Sequence, residues 1–450
     1  MQEINRNLSL IEEDKALSSP GSKIPYYPLA IASGKGAVVE DLDGRSYIDL
    51  LASAGAVNTG HCHPKVVEAI KEQAEKLILY TPVYMYQEPV VRLSKKLVSI
   101  TPGDYPKRVF YGLCGSDAND GAIKMARVAT KRPKIVSFIR SYHGSTFGAL
   151  SLSAISLPMT RAIGPLLPEI FHVPYPDPYR PPVAGMTPDQ VADYCLEQIR
   201  IAFGSYMPAD EVAAFIIEPI QGDAGLIVPP AKFMRDLRAL CDKHGILFIS
   251  EEVQQGFGRT GKWFGIEHFG VDPDAVILGK SIASGLPLSA VVARAQLIDG
   301  MEAPVHLFTT AGNPICCEAA RATLDVILEE RLREHAASLG QHVLERFRTM
   351  QKRHAFIGDV RGLGLSIGVD LVVDRDTKER HRVAASKICY RAWEKGLLLS
   401  FFSGSVLRIQ PPLVISKQEM DRALDIIEES MEEFEGGQIP DSVLDVVKGW

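Results

Sequence analysis

Six short apolar runs, separated by helix-length stretches, constrain this chain more than any other feature. They are Arg108–Tyr111, Ile135–Ile139, Ala213–Ile217, Ile246–Ile249, Ala275–Leu278 and Ala290–Ala293. None alternates apolar with polar, so each suits a strand buried on both faces, in a mostly parallel sheet covered by helices. The fold class is therefore α/β. With 450 residues, 46% of them hydrophobic, the chain can bury a large core and should divide into at least two lobes. The flanks read differently from the middle. Residues 36–50 (GAVVEDLDGRSYIDL) form a β-hairpin about Asp43-Gly44. Helical patterns resume from about residue 318 to 354, then give way to a mixed β segment, Asp359–Leu371, and to Val406–Gln410. The expected organisation is an N-terminal segment, 1–60, contributing to a small α+β lobe; a large lobe, 61–334; and the rest of the small lobe, 335–450.

Several classes are excluded. The net charge is −6, with acidic and basic residues interspersed, so no nucleic-acid or membrane-surface patch stands out. The seven cysteines form no C-x-x-C pair, and Cys316-Cys317 are adjacent, which suits a reduced interior. Residues 1–19 are polar and acidic, without the basic and apolar regions of a leader, and no apolar run reaches membrane-span length. A cytoplasmic location is expected. His61 and His63, two apart on a loop, are a weak metal pair, and no metal is expected. The glycines of Gly362-Leu363-Gly364 and Gly368 resemble a loose dinucleotide fingerprint but lack the following long helix.

In open α/β sheets, ligands bind beyond the carboxyl ends of the strands. Successive strand ends here deliver Gly115-Ser116, Tyr142-His143, Glu218 with Asp223, Glu251, and Lys280. A lysine directly after a buried strand, between Gly279 and Ser281, is a candidate for a perturbed amine. In a dry pocket such an amine becomes nucleophilic and forms imines with carbonyls. The Gly115-Ser116 turn opens a helix carrying Ala122, Met125, Ala126 and Ala129 on one face, so its N-terminus offers N–H groups to a phosphate. Tyr142 presents an aromatic face that can stack on a planar ring.

The stretches IIEPIQGDAG, ISEEVQQGFGRTGKWFG, DAVILGKSIASGLPLSAV and FTTAGNP resemble the class III aminotransferases of the type I pyridoxal-phosphate fold, and the likeness runs from GAVVEDLDGRSYIDL to VLRIQPPLVI. The resemblance implies pyridoxal 5'-phosphate as cofactor and an obligatory homodimer with active sites shared at the interface, pairing of dimers into tetramers being left open. Carried over by position, Lys280 is the Schiff-base lysine and Tyr142 stacks on the ring beside His143. Gly115 and Ser116 hold the phosphate, with Thr309 or Thr310 arriving from a second subunit. Gln254 approaches the ring's phenolic oxygen, Glu218 lies in the cofactor site, and Glu251 pairs with the ring nitrogen. Arg408 binds the substrate α-carboxylate, a task suited to a planar bidentate donor. Two departures stand out. The family's Asp-Glu-Val-Gln reads Glu251-Glu252-Val253-Gln254 here, which adds a methylene that must fold back or push the ring. Ser145 stands where relatives acting on ornithine-like substrates often have Arg.

The fold leaves the reaction open, because the cofactor runs several chemistries. Racemisation needs a second acid/base at the face opposite Lys280. Asp223, in Gln221-Gly222-Asp223-Ala224-Gly225, is the candidate, although transaminases of the family often carry an acid there too. The segments LLASAGAVNTGHCHPKVVEAI, LYTPVY, SYHGST, MTRAIGPLLPEIFHVPYPDPYR and PVHLFTTAGNPICC resemble the isoleucine 2-epimerase branch. The resemblance implies racemisation or 2-epimerisation of nonpolar amino acids, with transamination as the alternative. Tyr26, Tyr27, Val83 and Tyr84 are candidates for the substrate pocket and equally for packing.

Overall fold

A computed structural model describes residues 5–447 and 449; Met1–Ile4, Lys448 and Trp450 lie outside the described residues, and part of the leader reading of 1–19 falls there. The chain forms two compact lobes, one of Pro64–Arg333 and one joining Met1–His63 to Glu334–Trp450.

The second of these begins with an antiparallel meander, β1 (Ile31–Lys35), β2 (Val38–Asp41) and β3 (Ser46–Asp49). Its β2–β3 turn is set locally. Asp41 Oδ1 accepts from the N–H groups of Asp43 and Arg45, and Gly44 takes φ +83°, a region glycine enters at little cost.

The large lobe is built on seven strands: β4 (Lys107–Gly112), β5 (Lys134–Phe138), β6 (Ile170–Val173), β7 (Val212–Ile217), β8 (Leu247–Glu251), β9 (Ala275–Leu278) and β10 (Ser289–Arg294). Their order across the sheet is β4-β10-β9-β8-β7-β5-β6. The five strands from β9 to β6 pair in parallel, while β10 is antiparallel to both its neighbours. Every residue of β5, β7 and β9 is buried, which is why these stretches lack the alternation of a half-solvated sheet. Helix Gly115–Thr130 packs Ala122, Met125 and Ala126 into the core with Ile216, Ile249 and Ile277, and ends in left-handed Lys131 ahead of Pro133.

The small lobe is completed by β11 (Ile357–Leu363), β12 (Ser366–Leu371), β13 (Leu397–Leu398), β14 (Ser400–Phe402) and β15 (Val406–Ile409). Strands β11-β12-β15-β14 form an antiparallel sheet, and β13 joins β3 in parallel. Gly362 pairs with Ile367 and Gly368 with Arg361 across the β11–β12 hairpin, an antiparallel context with no phosphate-binding helix between the strands. Among the described residues no helix is long and apolar enough to cross a membrane.

Candidate active site

The site is assembled at the carboxyl ends of β4, β5, β7, β8 and β9, within the large lobe. Helix Gly115–Thr130 follows β4, and the Asp117 side chain turns back to accept from the N–H groups of Leu113 and Cys114. The first N–H groups of any helix lack helical acceptors. Gly115 and Ser116 are half-buried at that end, so the helix presents them to an anion.

The turn after β5 is stitched to this helix end. Ser116 Oγ accepts from Ser145 N–H at 3.1 Å, and Asn119 Nδ2 donates to the carbonyls of both Gly115 and His143. Gly144 sits at φ +136°, and a Cβ there would lie 2.2 Å from Ser116 Oγ, so only glycine permits this approach. At the end of β9, Gly279 plays a similar part: a Cβ on it would stand 3.2 Å from Gly115 N. The backbone before Lys280 thus runs against the helix N-terminus. Lys280 itself is half-buried and takes φ +46°, a left-handed conformation that non-glycine residues hold only under tertiary constraint.

Three carboxylates surround this lysine's end of the sheet. Glu218, buried after β7, accepts from Tyr142 N–H through Oε1 at 3.0 Å and from Gly222 N–H through Oε2 at 2.9 Å. Burial pushes its carboxyl up to about 7, with Asp223 raising it further and Lys280 opposing. Glu251, the last residue of β8, is raised well above the usual range, first by burial and next by the like charge of Glu218, with Lys280 again opposing. Its extra methylene folds back: Oε1 accepts from Val253 N–H at 3.1 Å, two residues along its own chain, and Oε2 lies 3.8 Å from His143 Nδ1. Asp223 is buried, and its Oδ1 accepts from Gln254 Nε2 at 3.2 Å. The Tyr142 hydroxyl is raised mainly by burial, with the Asp223 and Glu251 charges adding to it.

His143 is buried and neutral. Burial pushes its imidazole down to about 3, and Nε2 shares a hydrogen bond with Ser137 Oγ at 3.1 Å.

The loop carrying Asp223 is held by hydrogen bonds from several sides. Gln221 and Ile227 exchange both backbone hydrogen bonds, Leu226 N–H bonds Gly222 O, and Gln221 Nε2 reaches the Ile139 carbonyl. Arg140, left-handed at φ +70°, donates to the Ala224 carbonyl at 2.8 Å and pairs with Asp177 at 3.2 Å. Neither Arg140, Asn119 nor Tyr175, whose hydroxyl donates to the Glu218 carbonyl at 3.1 Å, stood out in the sequence. Their roles depend on partners between 24 and 84 residues away, which periodicity does not reveal. Glu252, next to Glu251, has a different task. It accepts from Gly265 and Ile266 N–H and from Ser250 Oγ, closing the loop after β8.

The remaining candidates lie elsewhere. Thr309 and Thr310 are exposed on the loop before helix Pro314–Glu329, and Tyr84 is exposed in the segment after helix Pro64–Lys76, with Val83 beside it. In the small lobe, Arg408 is buried on β15 with its guanidinium 3.6 Å from the centre of the Phe402 ring. Tyr26 donates to the Phe401 carbonyl at 2.9 Å, and Tyr27 stacks on Trp393 while its hydroxyl bonds the Leu399 carbonyl. His61 pairs with Asp49 at 2.8 Å.

The donor set fits pyridoxal phosphate. Gln254 Oε1 and His143 Nδ1 are buried without a hydrogen-bond partner, as expected of groups that complete a bound ring's surroundings. Gly222 keeps space beside that amide, since a Cβ there would overlap Gln254 Oε1. A half-buried lysine after a parallel strand, a helix N-terminus against the backbone before it, and Tyr142 on the turn bonded to that helix are gathered at one end of the sheet.

The aminotransferase class III family model matches residues 20–431. The chain is 48% identical to the isoleucine 2-epimerase of Lentilactobacillus buchneri over 440 residues, covering 98% of each chain. It is 44% identical over 445 residues to the leucine/methionine racemase of Thermococcus litoralis, covering 99% of this chain and 100% of that one. Among solved structures, an amine transaminase from an uncultivated Pseudomonas species, in its pyridoxal-phosphate-bound form, superposes with a TM-score of 0.84 at 31% identity over 93% of this chain and 97% of that one. The chain belongs to the class III aminotransferase family and has its type I α/β fold.

Proposed function

We propose that the chain is a pyridoxal-phosphate-dependent racemase/2-epimerase acting at the α-carbon of nonpolar, isoleucine-like amino acids. The observation that carries this reading is Asp223, a buried carboxylate that accepts from Gln254 on a loop whose Gly222 N–H is held by Glu218, the same carboxylate that holds Tyr142 N–H. The names of the two relatives support the substrate class and the reaction.

Pyridoxal phosphate, when bound, supplies an electron-accepting ring conjugated with the substrate nitrogen, which acidifies the α-hydrogen. Gly115 and Ser116 would hold its phosphate, with Thr309 or Thr310 of a second copy. Tyr142 would cover the ring, Gln254 would face its phenolic oxygen, and Glu251, backed by His143, would face its nitrogen. Lys280 takes the α-proton at one face and Asp223 returns a proton at the other, so configuration inverts without redox change. Each base recovers its starting state by exchange with water or by the reverse passage. A transaminase, the second reading, would instead use Lys280 for both proton transfers.

The test is incubation of the holoenzyme with L-isoleucine and no keto acid, followed by chiral chromatography. D-allo-isoleucine should accumulate while keto acid stays at or below one equivalent of enzyme. Unchanged configuration, with keto acid formed only once an acceptor is supplied, would establish the transaminase reading.

A further inference from the structure

Glu218 links two loops through its two oxygens. Oε1 holds the N–H of Tyr142, the residue over the ring space, and Oε2 holds the N–H of Gly222, adjacent to Asp223. The distances, 3.0 and 2.9 Å, are those of well-formed charge-assisted bonds. Glu218 is itself fixed from behind. Tyr175, buried, donates its hydroxyl to the Glu218 carbonyl at 3.1 Å and the Pro219 carbonyl at 3.2 Å, and packs edge-on against Phe138, the last residue of β5. The strand that delivers Tyr142 and the strand that delivers Asp223 are thereby tied through one side chain. On its far side Gly222 abuts Gln254, which in turn donates to Asp223.

We propose that Glu218 is a positioning residue that fixes the spacing between Tyr142 and Asp223, and so sets the reach of the second base to the α-carbon. The inference rests on the racemase reading. Only a carboxylate suits the place. A glutamine offers one acceptor oxygen and turns an NH2 group against the other N–H, so one loop is released. An aspartate is too short to span both donors.

The consequence is selective. Misplacement of a catalytic group by about 1 Å costs on the order of 100-fold in the step it serves. Release of the Gly222 loop therefore affects proton transfer by Asp223 and leaves transfer by Lys280 in place. Two rates separate these steps in deuterated water: formation of the 2-epimer, which needs both bases, and deuterium entry at the α-carbon of recovered starting isomer, which Lys280 alone performs for one of the two isomers.

The experiment compares wild-type and Glu218→Gln holoenzymes, each checked for its cofactor absorbance band, with L-isoleucine and with D-allo-isoleucine. Epimer formation should fall about 10- to 100-fold in the variant, while deuterium entry into one starting isomer stays within about threefold of wild type. A parallel fall of both rates would assign Glu218 to the fold or to cofactor binding as a whole, and unchanged epimer formation would remove its role; either overturns the proposal. Should Glu218→Gln fail to retain cofactor, Tyr175→Phe, which removes the hydroxyl's bonds to the Glu218 and Pro219 carbonyls, must show the same selective loss at smaller size, and a parallel loss there overturns it. Failure of the racemase reading is visible separately, because wild-type enzyme would then form no epimer, and the proposal would fall with it.

Discussion

At the scale of single residues, the glutamate in place of the family's usual aspartate has a clear structural answer. Glu251 spends its additional methylene on a bond to Val253 N–H, so one oxygen is committed to its own chain and the other stands 3.8 Å from His143. Burial and the neighbouring Glu218 both favour its neutral form, and under the proposed function a neutral carboxyl is a weaker partner for a protonated ring. Glu251→Asp is expected to raise kcat by about fivefold, roughly 1 kcal/mol in the barrier; unchanged turnover would show that the site has adapted to glutamate. His143 makes a prediction of opposite character. It stays neutral in the fold down to about pH 3, whereas an unfolded histidine protonates near 6.5. Below that pH the unfolded chain binds the extra proton, so stability is lost progressively from pH 6.5 towards 3. In denaturant titrations across this range, His143→Gln should show a shallower acid limb than wild type, and an equal slope would contradict the assignment. The gathering of Gly115, Tyr142, Glu218, Glu251 and Lys280 at the strand ends was legible in the sequence, because each closes or shortly follows an apolar run. Arg140 was not legible: a left-handed arginine bonding a carbonyl 84 residues away leaves no local pattern.

At the scale of elements, the six apolar runs each became a strand of the large sheet, because burial on both faces removes alternation and leaves continuous apolar stretches. The direction of β10 was less apparent from those runs. Only Gly279–Leu288 separates it from β9, and parallel neighbours need a crossover of a dozen or more residues, so the short link accounts for the antiparallel pairing. The four-residue turn Ala52–Gly55 was illegible for another reason. Its residues all carry positive φ, from 46° to 81°, a conformation alanine and serine do not favour and which the surrounding small lobe imposes. The element that most directly shapes the site is the turn after β5. Gly144→Ala would drive a methyl group into Ser116 and demand φ +136° of a residue that resists it. Apoenzyme titrated with pyridoxal phosphate should bind about tenfold or more weakly, at least 1.4 kcal/mol; undiminished affinity would separate this turn from cofactor binding.

At the scale of the whole molecule, the large lobe exposes a run of apolar side chains that a lone chain has little reason to keep. Ile78, Tyr80, Tyr84, Met85 and Tyr86 are all exposed within one segment, Tyr86 completely. Continuous apolar surface of this kind marks association sites, and aromatic residues are enriched there. Thr309 and Thr310, equally exposed, are then available to a second copy. The expected assembly is a homodimer: wild-type holoenzyme should sediment at twice the chain mass, and Tyr86→Glu should shift it towards a single chain and lower cofactor retention with it. A stable dimer in the variant would move the interface elsewhere.

The central claim is that two bases, Lys280 and Asp223, serve opposite faces of one α-carbon. Its most direct test is deuterium incorporation by the Asp223→Asn holoenzyme from L-isoleucine and, separately, from D-allo-isoleucine. The account predicts that epimer formation falls about 100- to 10,000-fold, while one of the two isomers still acquires deuterium at its α-carbon through Lys280. Epimer formed at the wild-type rate would remove Asp223 from the reaction and leave Lys280 as the only base.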